Sequence, residues 1–136
     1  MSDAVIPEIA RTWIDDRAIA VLATVRPEGQ PHLSVVWCMT DGNDVLVSTL
    51  RERLKYRHLT RDPRATLLVH PRDNPNSYVS VEGAVLLQEE GAADLIQQLS
   101  MRYKGRSYPE DPAVERITVR LRPEHVFVRE RPAAGR

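Results

Sequence analysis

The segment AIAVLATVRPEGQPHLSVVWCMTDGNDVLVST, residues 18–49, decides the fold of this chain. It begins with the continuous apolar run Ala18–Val25, which predicts a buried strand, and then passes through a turn rich in proline and glycine. The stretch His32–Thr40 alternates between two faces, as a strand does. Asp41-Gly42 is a strong hairpin signal, and it precedes a third predicted strand, Asp44–Thr49. Three strands joined by short turns predict an antiparallel meander.

The rest of the chain continues this pattern of short strands with few helices. Apolar residues at helical spacing after Pro7 predict a first helix that ends near Asp16. Gly83 lies within a strand-like stretch and therefore predicts a bulge or a close approach of backbone. Together these elements predict a mainly β protein built as an antiparallel barrel. The further predicted helices are Glu52–Arg61 and Glu89–Tyr103, and the further strands are Arg64–His70, Ser77–Leu87, Glu115–Arg122 and His125–Arg129, the last two separated by Pro123.

Size and charge limit the classes of function. The 136 residues suffice for one domain, 1–136, and the polar segment 129–136 is predicted to fray. Nineteen basic and nineteen acidic residues cancel, which argues against nucleic-acid or anionic-membrane binding. A single cysteine and four histidines without metal-ligand spacing predict neither a disulfide framework nor a metal site. No signal peptide and no apolar run of about 20 residues is visible, so we expect a cytoplasmic protein without a membrane span.

The predicted second helix carries the residues of greatest chemical interest. At about 100° per residue, Leu54, His58 and Leu59 form its buried stripe, and Lys55 lies inside that stripe. A lysine at such a position either extends its amine to water or meets an anion. Arginines at positions 53, 57 and 61 follow a neighbouring face, which is either solvated or part of an anion site.

Residues before this helix leave two interpretations open. Ser48 and Thr49 could cap the helix or bind a phosphate oxygen. Trp37 could be a core or interface aromatic, or it could flank a planar cofactor. Cys38 has no basic neighbour in sequence, so we expect an inert thiol. No motif supplies a nucleophile or a paired acid and base, and the catalytic residues remain unknown.

Several segments, in their order and spacing, form a recognisable pattern that runs from about Ile6 to Phe127. These segments are Ala20–Val25, Gly29, Pro31–Ser34, Lys55, Leu59, Asp62–Ala65, Ser77–Tyr78, Glu82–Ala84 and Tyr103–Tyr108. The pattern resembles the pyridoxamine 5'-phosphate oxidase-like FMN-binding split barrels. Within that group it is most similar to the short actinobacterial branch that uses the deazaflavin coenzyme F420. The chain lacks the extended C-terminal substrate motif of pyridoxamine-phosphate oxidases proper, so oxidation of pyridoxamine phosphate is not expected.

The resemblance implies a six-stranded antiparallel split β-barrel that forms a homodimer, with two cofactor sites in clefts between the subunits. It implies that Lys55, with Arg53 and Arg57, binds the phosphate-bearing tail of the cofactor. Ser48 and Thr49 would contact the ribityl chain or the phosphate. The remaining cofactor-binding residues implied in this way are Ser34, Val35 and Val36 along the ring, with Trp37 and Tyr78 as candidates for the cleft wall.

Three functions are compatible with these residues. The first is an F420-dependent oxidoreductase in which the reduced deazaflavin passes a hydride to an electron-poor, conjugated small molecule. The second is an FMN-binding oxidoreductase, because both cofactors share a ribityl-phosphate stem. The third is a cofactor-binding protein without turnover, since no catalytic side chain stands out. The longer anionic tail of F420 favours the first, because Arg51, Arg53 and Arg57 supply extra positive charge.

Overall fold

A computed structural model describes residues 4–132 as an antiparallel sheet with three helices. The mainly β, antiparallel prediction is therefore confirmed for this part of the chain. The helices are α1 (Glu8–Ile14), α2 (Leu54–Arg61) and α3 (Ala92–Lys104). The strands are β1 (Ala20–Val25), β2 (Pro31–Val36), β3 (Met39–Asp41), β4 (Asp44–Leu50), β5 (Arg64–Val69), β6 (Tyr78–Gln88) and β7 (Arg116–Arg129).

The sheet has seven strands in the order β2-β1-β5-β6-β7-β4-β3, and its two edges are not joined by a ladder. The expected six-stranded barrel is corrected in this respect, although the topology is consistent with a split barrel. The reason lies in the predicted strand His32–Thr40, which is broken at Trp37–Cys38. Its first half pairs with β1 and its second half pairs with β4, so the halves lie at opposite edges of the sheet. The expected meander therefore does not continue from β2 to β4.

The break at Trp37–Cys38 is stabilised by a side chain from α3. The Cys38 amide donates to the Tyr103 hydroxyl oxygen at 3.0 Å, and that hydroxyl donates to the Ala18 carbonyl at 2.6 Å. Backbone groups at a strand interruption need partners when they are buried, and one tyrosine supplies them here. Burial raises the pKa of the Cys38 thiol to about 12, which agrees with the inert role expected of it.

Strand β7 contains the proline that was expected to end it. The structure shows one continuous strand from Arg116 to Arg129, not two strands separated by Pro123. Pro123 lies opposite Gly83, where the register of β6 and β7 shifts in a bulge, and bulges tolerate proline. The predicted close approach at Gly83 is confirmed, because a Cβ there would lie 1.8 Å from the Arg122 carbonyl oxygen.

The core lies inside the curved sheet and is closed by α1 and α2. A second, smaller cluster lies between β3, β4 and α3, formed by Met39, Leu46, Leu95 and Leu99. On α2, His58 and Leu59 are buried as expected, whereas Leu54 is 47% exposed, and its placement in the buried stripe was wrong. Leu54 is the first residue of the helix, where the chain still faces solvent.

The end of the described chain is bound to the sheet. Arg129 pairs with Tyr78, and the amide and carbonyl of Arg131 both bond the Ser77 hydroxyl. Residues 133–136 of the tail that was expected to fray lie outside the described residues.

Candidate functional site

A groove of about 260 Å³ lies where β2 and β4 end and α2 begins. One wall is the end of β2 with the following Trp37, another is the end of β4, and α3 with residues 108 and 116 closes the third side. Twelve residues line it: Val35, Val36, Trp37, Ser48, Thr49, Leu50, Arg53, Lys55, Ile96, Leu99, Tyr108 and Arg116.

Two cations from the start of α2 lie in the groove. Arg53 is the N-cap residue of the helix, and Lys55 is half-buried one residue into the helix. Burial, together with the nearby Arg53 charge, holds the pKa of Lys55 below its usual value. Within the described residues, no carboxylate lies within 4 Å of either cation. A half-buried lysine beside an exposed arginine, with no carboxylate partner among the described residues, is costly, and an anionic ligand would relieve that cost.

Two buried hydroxyl oxygens lack a hydrogen-bond partner among the described residues. They are Ser34 Oγ on β2 and Thr49 Oγ1 on β4. Thr49 is only 4% exposed and lines the groove, and Ser34 precedes the groove residue Val35. Buried polar groups in native proteins nearly always have partners, so unpaired ones indicate a group that the structure does not contain. A phosphate or a polyhydroxylated chain has the acceptors and donors that these hydroxyls need.

Aromatic side chains form the wall next to α3. The Trp37 indole stacks on the Tyr103 ring, with centroids 5.1 Å apart and planes 13° from parallel. Tyr108 meets the same indole edge-on at 6.4 Å, and the Lys104 ammonium lies 5.6 Å from the indole centroid. Because the Tyr103 hydroxyl is itself held by the backbone at residues 18 and 38, this wall is fixed in position.

Arg116, at the start of β7, connects the aromatic wall with β4. Its guanidinium donates to Ser48 Oγ at 3.1 Å and lies 4.8 Å from the Tyr108 ring centroid. Ser48 therefore presents its hydroxyl sideways to an arginine and makes no helix cap, because the N-cap position belongs to Arg53 and has no side-chain cap bond. Arg116 is thus a third cation that lines the groove.

The structure brings most of the implied cofactor residues together. Seven line the groove: Val35, Val36, Trp37, Ser48, Thr49, Arg53 and Lys55. Ser34 adjoins it, Arg57 is exposed outside it, and Tyr78 lies on the outer face of the sheet with its ring 5.9 Å from that of Phe127. The role of each of these residues stays a prediction.

Sequence reasoning missed five lining residues: Leu50, Ile96, Leu99, Tyr108 and Arg116. Leu99 and Ile96 belong to the apolar face of α3 that the sequence did reveal, but which sheet region this face covers is set by the fold. Tyr108 was part of a family-like segment, so its signal was present without a role attached to it. Arg116 carried no signal that separated it from other strand arginines.

Other kinds of site find no support in residues 4–132. No group of three or more histidine, cysteine, aspartate or glutamate side chains there is arranged to hold a metal ion. None of the helices described is both long enough and apolar enough to cross a bilayer.

Known proteins share this fold along most of its length. An F420 reductase of known structure is 28% identical, with 90% of this chain and 98% of that chain covered and a TM-score of 0.79. A conserved hypothetical protein from Mycobacterium tuberculosis is 24% identical, and the match covers 99% of this chain and 96% of that chain with a TM-score of 0.73. General stress protein 26 from Bacillus anthracis is 24% identical, and the match covers 89% of this chain and 91% of that chain with a TM-score of 0.69. The last two likenesses show the fold alone.

The family match covers the whole of the sheet and all three helices. The model for pyridoxamine 5'-phosphate oxidase matches residues 6–129, which include every element from α1 to the end of β7. The resemblance seen in the sequence is therefore confirmed, and the chain belongs to the pyridoxamine 5'-phosphate oxidase family.

Proposed function

We propose that this chain is an oxidoreductase that binds the deazaflavin F420 in the groove and passes a hydride to an electron-poor, conjugated small molecule. The family is oxidoreductase-like and binds flavin or deazaflavin cofactors, and a 28% identical relative is an F420 reductase. One observation carries the proposal. Arg53 and Lys55, which form no ion pair with the described residues, line one groove with Thr49, whose buried hydroxyl has no hydrogen-bond partner in residues 4–132.

The residues present fit a ribityl-phosphate cofactor. Lys55 supplies a point charge and Arg53 a planar, multi-donor cation, which are the two usual partners of phosphate. Thr49 donates its hydroxyl to a phosphate or ribityl oxygen, which gives this buried group its missing partner. Val35 and Val36 line the groove where the cofactor ring would bind, and Trp37, which stacks on Tyr103, would form a flat wall beside it. When bound, the deazaflavin supplies the hydride from C5 of its ring, and the protein supplies binding and orientation.

The groove is open on the side of Val35, and an exposed row of residues continues from there across the sheet. Val35 lines the groove and is nevertheless 67% exposed. It belongs to a row on the outer face of the sheet that continues through Val21, Leu68 and Ser80 to Phe127, according to the strand registers. Leu68 and Phe127 in that row are also exposed.

We propose that a homodimer covers this face. A contiguous apolar patch on a small domain marks an interaction surface, and a two-fold dimer places the same patch on both subunits. Continuity between the patch and the groove at Val35 means that the second copy would close the open side of the cofactor site. Tyr78 lies on the outer face, outside the groove of its own chain, and would reach a groove only across such an interface.

The experiment is a titration of purified protein with oxidised F420, followed by its fluorescence, together with a measurement of mass in solution. We expect saturable binding at micromolar ligand and the mass of a dimer. Lys55→Met should weaken binding, whereas Arg72→Gln, an exposed arginine paired with Asp16 away from the groove, should not. The absence of any spectral change at micromolar F420 would refute the proposed cofactor.

FMN is the second candidate cofactor. The groove holds residues for a ribityl phosphate, and FMN and F420 share that part, so Lys55 and Thr49 do not separate them. A yellow protein as purified, with the absorbance of an oxidised flavin, would favour FMN. If reduced cofactor binds and no acceptor turns over in a screen of quinones and enones, a binding protein without turnover is the better description.

A further inference from the structure

Two parts of the groove have different chemistry. The end of β4 and the start of α2 supply the Thr49 hydroxyl and the cations Arg53 and Lys55, whereas the end of β2 leads into the aromatic wall at Trp37. Tyr103 stacks on Trp37 but is not itself a lining residue of the groove. A change at Tyr103 therefore acts on the groove through Trp37 and the backbone next to it, not through the cations.

The Tyr103 hydroxyl joins three segments of the chain. It accepts the Cys38 amide at 3.0 Å and donates to the Ala18 carbonyl at 2.6 Å, so α3 is bonded both to the break after β2 and to the chain just before β1. Burial, together with the neighbouring Cys38, raises the pKa of Tyr103, and the hydroxyl keeps its proton at neutral pH. Because that proton is held by a carbonyl, the hydroxyl is an anchor and not a proton donor to a ligand.

The ring of Tyr103 restrains the plane of the indole. The two rings are 5.1 Å apart between centroids and 13° from parallel, and the ammonium of the next residue, Lys104, lies 5.6 Å from the indole centroid. Stacked aromatic pairs and cations close to an indole ring are both favourable arrangements. The bond at Cys38 holds the backbone and the stack holds the side chain, so Trp37 is restrained at both ends.

The last turn of α3, which carries Tyr103, is itself held in place. Gly105 ends the helix at a φ of 72°, and its amide donates back to carbonyls of the last turn. The Ser100 hydroxyl donates to the Arg106 carbonyl at 2.7 Å. Leu99, one turn before Tyr103, belongs to the smaller core cluster. This fixed base allows a single tyrosine to determine the position of the aromatic wall.

We propose that Tyr103 is a positioning residue for the cofactor ring: it holds Trp37 in the plane that orients the ring for hydride transfer. This inference rests on the proposed function. Hydride transfer depends steeply on the alignment of the reacting atoms, and a misplacement of about 1 Å costs about 100-fold in rate. Binding of the anionic end depends on charges and hydrogen bonds that Tyr103 does not supply. Loss of the anchor should therefore change the orientation of the ring and spare the affinity for the cofactor.

The test uses Tyr103→Phe, which keeps the stacked ring and removes the hydroxyl. The dissociation constant of oxidised F420, measured by fluorescence titration, should change less than about threefold. The circular dichroism induced in the visible absorption band of the bound F420, at saturation, should lose most of its amplitude. In a single turnover, reduction of the quinone probe menadione by reduced F420 should slow about 10- to 100-fold. In that reaction a hydride and one proton from water convert menadione to its hydroquinone and leave F420 oxidised.

Two variants serve as matched controls. Tyr56→Phe removes a hydroxyl that accepts a hydrogen bond from Arg51 at 2.5 Å outside the groove, and it should leave affinity, dichroism and rate unchanged. Thr24→Val also leaves a buried group unpaired, so it shows the effect of a general loss of stability, and its dichroism should equal that of the wild type. If Tyr103→Phe does not fold, Trp37→Leu removes the stack and leaves the Tyr103 hydroxyl in place. Because Tyr103 acts through Trp37, that variant should also lose the dichroism, and a preserved signal would overturn the inference.

Each contrary result has a separate meaning. Wild-type dichroism in Tyr103→Phe would overturn the inference, and so would a dissociation constant that rises more than about tenfold in that variant, because Tyr103 would then support binding as a whole. Failure of the wild type to bind F420, or of Lys55→Met to weaken binding, would instead refute the proposed function. A wild type that binds F420 and does not reduce menadione would count against a quinone acceptor, and the dichroism would still decide the role of Tyr103.

Discussion

Replacing Thr49 with valine should stabilise the free protein and weaken its hold on the cofactor. Valine keeps the shape of threonine and removes the hydroxyl, whose Oγ1 is buried without a partner among the described residues. An unsatisfied buried polar group costs about 1–3 kcal/mol, and the substitution removes that cost. For a chain of 136 residues, each kcal/mol corresponds to about 3–5 °C in Tm.

Cofactor binding should change in the opposite direction. If Thr49 donates to a phosphate oxygen, its removal loses a charge-assisted bond of about 1.5–3 kcal/mol. That loss raises the dissociation constant about 10- to 150-fold. The assay is a thermal melt of the free protein and a fluorescence titration with F420, both on the same preparation.

Thr24→Val provides a matched control with the opposite effect on stability. Thr24 is equally buried, but its Oγ1 bonds the ring Nδ1 of buried His58 at 2.9 Å, outside the groove. The same substitution there leaves a buried imidazole nitrogen unpaired, so Tm should fall while the affinity for the cofactor stays the same. A lower Tm for Thr49→Val, or wild-type affinity in that variant, would refute the reasoning.

Three further predictions concern charge, backbone and assembly. Lys55→Met should raise the Tm of the free protein, because burial and Arg53 lower the pKa of the Lys55 amine in the folded state and so disfavour its charged form. The stability of the wild type should rise as pH increases from that lowered folded-state pKa towards 10.5, the pKa of the unfolded chain. A series of thermal melts at increasing pH should show this rise in the wild type and not in the variant. Gly83→Ala should cost about 1–3 kcal/mol in urea unfolding, since its Cβ would meet the Arg122 carbonyl at 1.8 Å; a change below about 0.5 kcal/mol would contradict the bulge geometry. Val35→Lys should convert the proposed dimer to a monomer in light scattering, whereas a dimer that persists would place the interface elsewhere.

The parts of the fold that the sequence predicts well are those set by local pattern. The ranges of β1, β4 and β5 agree within two residues with the predicted strands, because alternation and turn residues fix them. The bulge at Gly83 was also local information, since a glycine inside a strand has no side chain to pack and often marks a bulge or a close approach of backbone.

The errors arose where a distant residue decides the local structure. The strand His32–Thr40 has an unbroken alternating pattern, yet it divides at Trp37–Cys38 because Tyr103, 65 residues away from Cys38, bonds the backbone there. Arg57 shares a predicted helix face with Arg53, but α2 begins at Leu54, and the helix turns Arg57 away from the groove. Arg116 enters the groove through the pairing of β7 with β4, which no periodicity reveals.

The break in the strand and the candidate site have one structural cause. Where the chain leaves β2 at Val36, it passes to the opposite edge of the sheet and lays Trp37 against Tyr103. The same passage brings the end of β2 next to the end of β4, so that Val35 and Thr49 line one groove. Among the described residues, this groove holds a half-buried lysine beside Arg53 with no counter-ion, and a buried hydroxyl with no partner, and each of the two lowers stability. A fold that keeps both costs in one place, although valine and methionine would remove them, is best explained by an anionic, hydrogen-bonding ligand that binds there.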